Sequence, residues 1–190
     1  MKKRVETVLF RGTLNSNMTV SYMYTWDDTS KYKPLSKNTL MDRSNQQFES
    51  VKIFPNILLT ISEGYGRPFV SIGNNGYFAF VTLLEKSVKQ VSEHLYEIFP
   101  DVDKIEFSGD SKMLEIYRTE KALTSANITM FPVVWVNETS QCFPAIKVTT
   151  QTQPSGISIP LEDAIAMSKM LSCFDPNSYG LMMLRTLDKI

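Results

Sequence analysis

With 190 residues, 43% of them apolar and 21% charged, the chain suits one globular domain with a sizeable core. Twenty Lys and Arg against twenty Asp and Glu exclude a strongly basic protein held permanently on nucleic acid, and no apolar run approaches the ~18 residues of a membrane span. Cys142 and Cys173 are too few for a disulfide scaffold, and Met1 to Arg4 lead into no apolar leader, so a reducing cytoplasm (the host's, for a viral chain) is expected.

Val5 to Arg11 and Met18 to Trp26 read as strands joined by a hairpin loop through Gly12 to Asn17. In the second of these, Met18, Val20, Tyr22, Tyr24 and Trp26 alternate onto one face. Asp27 to Gln47 is polar, contains Pro34 and keeps no period, which reads as a long loop. Val51 to Ser62 resumes strand character, with Pro55 implying an edge, a bulge or a break. Glu63 to Pro68 is a turn, and Phe69-Val70-Ser71-Ile72 a short strand.

A helix follows from Tyr77 to Phe99. Tyr77, Val81, Leu84, Val88, Val91, Leu95 and Ile98 recur at steps of three and four, while Glu85, Lys86, Lys89, Glu93 and Glu97 mark a wet face. Asn74 or Asn75 is expected to cap it and Pro100 to end it. Lys104 to Phe107 and Lys112 to Arg118 read as a hairpin through Ser108-Gly-Asp-Ser111. Ile128 to Val136 and Phe143 to Thr150 are further strands, and Gln151 to Gly156 reads as a polar loop. Gly156-Ile157-Ser158-Ile159 then turns into a helix from Leu161 to Phe174, with Pro160 near its first turn and Glu162 and Asp163 facing its positive end. Asp175-Pro176 opens a short last helix carrying Leu181, Leu184 and Leu187.

Phe69 to Ile72 and Gly156 to Ile159 are the same transition, apolar-Ser-Ile into a helix, and each follows several strands. The expected architecture is therefore α+β: two similar antiparallel sheets, each followed by a helix, in a pseudo-symmetric β4-α-β4-α order. The whole of 1–190 forms a single domain, with the pseudo-repeat over 5–99 and 103–174 and a C-terminal helix over 176–187.

Catalytic signatures are sparse. His94, the single histidine, falls between Glu93 and Glu97 on the polar side of the first helix, as a solvated side chain would. One histidine and two cysteines do not make a zinc site. No phosphate loop, dinucleotide fingerprint or Gly-x-Ser-x-Gly elbow occurs, and Gly64, Gly66 and Gly73 read as turn glycines. Asp27-Asp28 and Asp101-x-Asp103 lack the further oxygen ligands of a calcium loop and read as solvated charge. No cofactor, metal or small-molecule substrate is expected.

Aromatic and basic residues interleave on the strands and loops instead. Residues 1–67 hold ten Lys or Arg against six Asp or Glu, while residues 68–135 hold six against nine and 136–190 four against five. Unpaired nucleic acid requires this mixture: flat rings under the bases and cations along the phosphates. The candidate contacts are Lys31, Tyr32, Lys33, Tyr65, Arg67, Trp26, Arg11, Lys52, Arg118 and Lys147. Tyr22, Tyr24 and Trp26 on one strand face equally suit a sheet's own core. In the second half Tyr117, Arg118, Trp135, Phe143 and Lys147 form the matching set, and Phe131, Val133 and Trp135 share a face that also suits a core.

Four strands and a helix, twice over, resembles the Whirly fold of single-stranded-DNA-binding proteins. It also resembles a fused pair of the related transcriptional-coactivator-type half-units, small phage single-strand binders included. Such half-units finish with a Gly-Ile-Ser-Leu type of strand leading straight into a helix. Gly156-Ile157-Ser158-Ile159-Pro160-Leu161-Glu162 matches that transition, and Phe69-Val70-Ser71-Ile72 followed by Tyr77 to Phe80 is a looser copy. The likeness in layout spans about residues 5–174 and the literal motif some seven residues. The lysine- and alanine-rich strand of plant Whirly proteins is absent, and the chain ends on Leu187 to Ile190 with balanced charge rather than an acidic tail. These departures weaken what the resemblance implies about tetramer formation and partner recruitment, while a homo-oligomer is still expected. The resemblance implies bases lying over the two sheets and their edges, with helices packed between the sheets or pairing subunits.

The function expected is non-catalytic binding of single-stranded DNA, or RNA, with little sequence preference, in replication, recombination or transcription. The alternative is a structural or assembly protein that forms a homo-oligomer without nucleic acid. A regulator docking on a polymerase or other host enzyme comes third, and an enzyme last.

Overall fold

The computed structural model describes residues 2–12, 18–27, 56–61, 69–73, 76–104 and 113–175, and the fold is α+β. The first sheet is an antiparallel meander of β1 (Lys2–Arg11), β2 (Met18–Asp27), β3 (Asn56–Ile61) and β4 (Phe69–Gly73), in that spatial order. Its register pairs Phe10 with Val20, Val20 with Leu59 and Leu59 with Val70, and pairs Tyr22 with Ile57 and Ile57 with Ile72. Directly paired residues lie on one face. Positions 20 and 22 therefore belong to the face that carries Phe10, Val70 and Ile72, all three buried in the core. Position 26 continues that face along β2, beyond the end of β3, and pairs with Lys3 of β1.

Helix α1 (Tyr77–Ile98) follows β4, and helix α2 (Leu161–Ser172) follows β9 (Gln153–Pro160). The second sheet runs β5 (Met113–Tyr117), β7 (Ile128–Asn137), β8 (Cys142–Thr150), β9, and the short β6 (Leu123–Ser125) pairs with β7 as well. Among the described residues this sheet has five strands, and β6 is the one that the sequence reading does not anticipate. Lys104, expected to open a strand, closes a 3-10 turn over Val102–Lys104, and residues 105–107 lie outside the described residues, as does the expected helix over 176–187.

β5 and β6 share one side of β7, separated by a 3-10 turn over Thr119–Lys121. Pro132 occupies the gap between them, and its carbonyl accepts the Arg118 N–H. In an antiparallel ladder a residue's N–H and C=O point to the same side. The donor that Pro132 lacks would have pointed into that gap, so a proline is tolerated inside a central strand.

The apolar stripe of α1 is buried along most of its length, with Tyr77, Val81, Leu84, Val91 and Ile98 joined by Phe80 and Leu83. Together with Ala164, Met167 and Leu171 of α2, it packs on Ile128, Met130, Ile146, Val148, Ile157 and Ile159 of the second sheet and on Phe10, Val70 and Ile72 of the first. Both helices and both sheets thus share one core. Each fully buried side chain of this size contributes about 1.5–3 kcal/mol.

Two boundaries differ from expectation. The N-cap of α1 is Gly76, with no side-chain hydrogen bond, rather than Asn74 or Asn75. A side chain at 76 would meet Ile72 Cγ2 at 2.8 Å, so close packing of β4 against the helix start takes precedence over capping. Near its other end the helical path breaks at His94 (φ −128°, ψ 24°). The last turn then delivers Ile98 and Phe99 to a second buried cluster with Val102, Val134 and Val136.

Candidate functional site

Alternation along β7 sends Met130, Val134 and Val136 to the helices and Phe131, Val133 and Trp135 to the opposite, outer face. Register then assembles that face. Glu115 pairs with Trp135 and Trp135 with Phe143; Tyr117 pairs with Val133 and Val133 with Ala145; Phe131 pairs with Lys147 and Lys147 with Ser158. Four strands spread over 113–160 thereby converge on one surface.

The centre of this surface is sealed: Val133 and Ala145 are fully buried and Phe131 nearly so. Around them aromatic surface is exposed, 51% of Tyr117 and 43% of Phe143, with Trp135 half-buried between. Met113 adds an exposed thioether at the β5 end. The Tyr117 ring is braced from the sheet side, tilted on Phe131 with centroids 5.8 Å apart and with Lys147 Nζ 5.7 Å from its own centroid. A ring held by packing and by a cation loses little freedom when a ligand stacks on it.

An ion pair lies beside these rings. Lys147 Nζ donates to Glu115 Oε2 at 2.9 Å, and Ser158 Oγ donates to Oε1 at 2.5 Å. The side chains keep only 18% and 32% of their exposure, Lys147 and Glu115 respectively. Burial would raise the Glu115 pKa, but hydrogen bonds from Ser158 and Lys147, the charge of Lys147 and a hydrogen bond from Trp135 outweigh it and hold the carboxyl below its usual value. The carboxylate therefore stays ionised and the pair stays neutral as a unit.

Among the sequence-predicted contacts, Lys147 thus lies on this face with its charge matched. Arg118 leaves it: Nε donates to the Ile98 carbonyl at 3.3 Å, and the guanidinium lies 5.3 Å from the Phe99 ring centroid. It closes the C-terminal end of α1, where a cation complements the helix dipole. Arg11 lies on β1, the outer strand of the first sheet, and pairs with Thr19; Trp26 lies near the end of β2. Lys31, Tyr32, Lys33, Lys52, Tyr65 and Arg67 lie outside the described residues. Glu115 and Ser158 escape sequence reasoning, since only the register brings them to Lys147.

His94 is exposed beside Glu97, 3.1 Å from its Oε2. Asp101 pairs with Lys104 at 3.2 Å. Among the described residues no group of three or more His, Cys, Asp and Glu is placed to hold a metal ion, and no helix is long and apolar enough to cross a membrane. Comparison of the chain with protein families, with curated proteins and with solved structures gave no match.

Proposed function

We propose that the chain binds single-stranded DNA with little sequence preference and without catalysis, serving replication, recombination or transcription in the cytoplasm. The observation that carries this reading is the outer face of the second sheet, where exposed Tyr117 and Phe143 flank Trp135 over a sealed floor. Flat rings on a sheet face, Tyr117 braced among them, suit unpaired bases, whose π-faces stack whatever the sequence, at about 1–3 kcal/mol per base. The phosphates fall to the basic N-terminal third, with Arg11, Lys31, Lys33, Lys52 and Arg67 as cations and Trp26, Tyr32 and Tyr65 as further rings. Arg118 and Lys147, the remaining basic candidates, are already engaged in internal contacts and are assigned no phosphate.

The finer architecture belongs to the same proposal. The two sheet-to-helix transitions, Phe69 to Ile72 into α1 and Gly156 to Ile159 into α2, support reading the chain as pseudo-symmetric halves of Whirly type.

Fluorescence anisotropy of labelled oligo-dT tests the function. The observed affinity should fall linearly on a log–log plot against salt, with a slope of about −0.7 for each phosphate contact. Absence of binding at low salt removes the reading. Exposure of Met113, Leu114 and Tyr117 along β5 favours homo-oligomer assembly as the second reading. A fixed multiple of the chain mass in native mass spectrometry, with no shift on adding oligonucleotide, would select it.

A further inference from the structure

Resting on that reading, we propose that the outer face of the second sheet takes the bases of an unstacked strand and none of its phosphates, leaving ionic contacts to other parts of the chain. Glu115 and Lys147 occupy the two charged strand positions of this face, and they neutralise each other at 2.9 Å. A phosphate brought to Lys147 would meet the Glu115 carboxylate at the same place. The face therefore offers rings and no net attraction for an anion.

Register sets the spacing of those rings. Phe143 is directly opposite Trp135, and Tyr117 is diagonal to it across β5 and β7. Direct pairs hold their Cβ atoms about 5 Å apart and diagonal ones about 7–8 Å. Both steps exceed the roughly 3.4 Å rise per nucleotide of a duplex strand. Bases reach these rings only when the strand is stretched and unstacked, which selects single strands by geometry rather than by charge. A second copy of the chain is the less suited occupant: Val133 and Ala145 are sunk below the raised rings, where a flat partner face would leave gaps.

The test compares wild type with Tyr117→Ala/Phe143→Ala on two probes, oligo-dT and an abasic oligonucleotide carrying the same number of phosphates. The double variant should bind oligo-dT at least about thirtyfold more weakly at every salt concentration, with the slope of log affinity against log salt unchanged. Both proteins should bind the abasic probe equally, and Tyr117→Phe, which keeps the ring, should retain most of the affinity. Where the double variant loses its fold, Phe143→Leu keeps apolar bulk without a ring and should still weaken oligo-dT several-fold. The proposal fails if wild type binds oligo-dT and the variants bind it equally. A shallower salt slope in the double variant also overturns it, by placing phosphates on this face, as does a change of native mass, by making the face an interface between copies. If wild type binds neither probe, the single-strand reading itself fails, a result distinct from the others.

Discussion

The hydroxyl of Tyr77, the first residue of α1, donates to the main-chain carbonyl of Leu171 in the last turn of α2 at 2.7 Å, with both residues 1% exposed. One buried hydrogen bond thus joins the helices that follow the two sheets, across 94 positions of sequence. The ring does the larger share, packing edge-on to Phe78 and tilted against Phe174. Leu171 O also accepts the Phe174 N–H, so loss of the hydroxyl does not orphan the carbonyl. Tyr77→Phe is expected to cost about 1 kcal/mol and Tyr77→Ala about 3–5 kcal/mol. Urea unfolding of the two variants checks this ranking.

Gly156 opens the transition into α2 and has φ +60°, where a side chain is strained. An added Cβ would lie 2.2 Å from the Val148 carbonyl oxygen, a backbone atom that cannot turn aside. The register shift between Val148 and Thr150 falls at the same place, so the glycine admits a bulge where β9 pairs with β8. Gly156→Ala is expected to cost at least about 2 kcal/mol. Gly76→Ala should cost less, because φ there is −90° and the obstacle is a side-chain methyl of Ile72. Thermal melts of the two variants provide the comparison.

Why parts of this fold are legible in the sequence follows from which forces are local. Helix α1 declares itself because one face of a 3.6-residue period is buried while Glu85, Lys86 and Lys89 remain wet. β6 leaves no such mark. Its three residues are too short for a period, and its hairpin turns through Ala126 and Asn127, both at positive φ, instead of the usual Asn-Gly. β9 begins at Gln153, inside a stretch that reads as polar loop, because an edge strand needs no apolar alternation at its open end. The face built on Tyr117, Trp135 and Phe143 is half legible: the rings stand out, but which are wet depends on β5, β7 and β8 lying side by side. The Glu115–Lys147–Ser158 cluster is not legible at all, since its members are 32 and 43 positions apart and meet only through register.

Arg118 illustrates a basic residue whose neighbours redefine it. Its Nε hydrogen bond to Ile98 O and its stacking on Phe99 close the end of α1, and Glu120 Oε1 lies 3.9 Å away. Arg118→Ala should lower stability by about 1–2 kcal/mol, through the lost cap and cation–π contact. Arg118→Lys should recover little, because a lysine cannot present a planar group over the ring while reaching the carbonyl. If Arg118 serves the helix alone, the salt slope of oligo-dT binding stays at the wild-type value in both variants. A slope reduced by about 0.7 would assign Arg118 a phosphate instead.

The ion pair beside the rings gives the fold a defined acid response. Hydrogen bonds and the Lys147 charge outweigh burial and lower the Glu115 pKa below 4.5 in the folded chain. The unfolded chain therefore takes up this proton first as pH falls. The stabilisation from Glu115 is complete above the unfolded value of 4.5 and is lost as pH drops through the lower folded value. At pH 7 Glu115→Gln should be less stable than wild type by about 1 kcal/mol, between the worth of an exposed pair and a buried one. That gap should close as pH falls through the acid window below 4.5. Lys147→Met strands the carboxylate against Trp135 and Tyr117, so its pKa should rise and the acid loss of stability should begin at higher pH than in wild type. Urea midpoints of the three proteins at pH 7, 5 and 3 measure both effects. A constant gap between wild type and Glu115→Gln would mean that Ser158 and Trp135 hold the neutral side chain as firmly as the charged one.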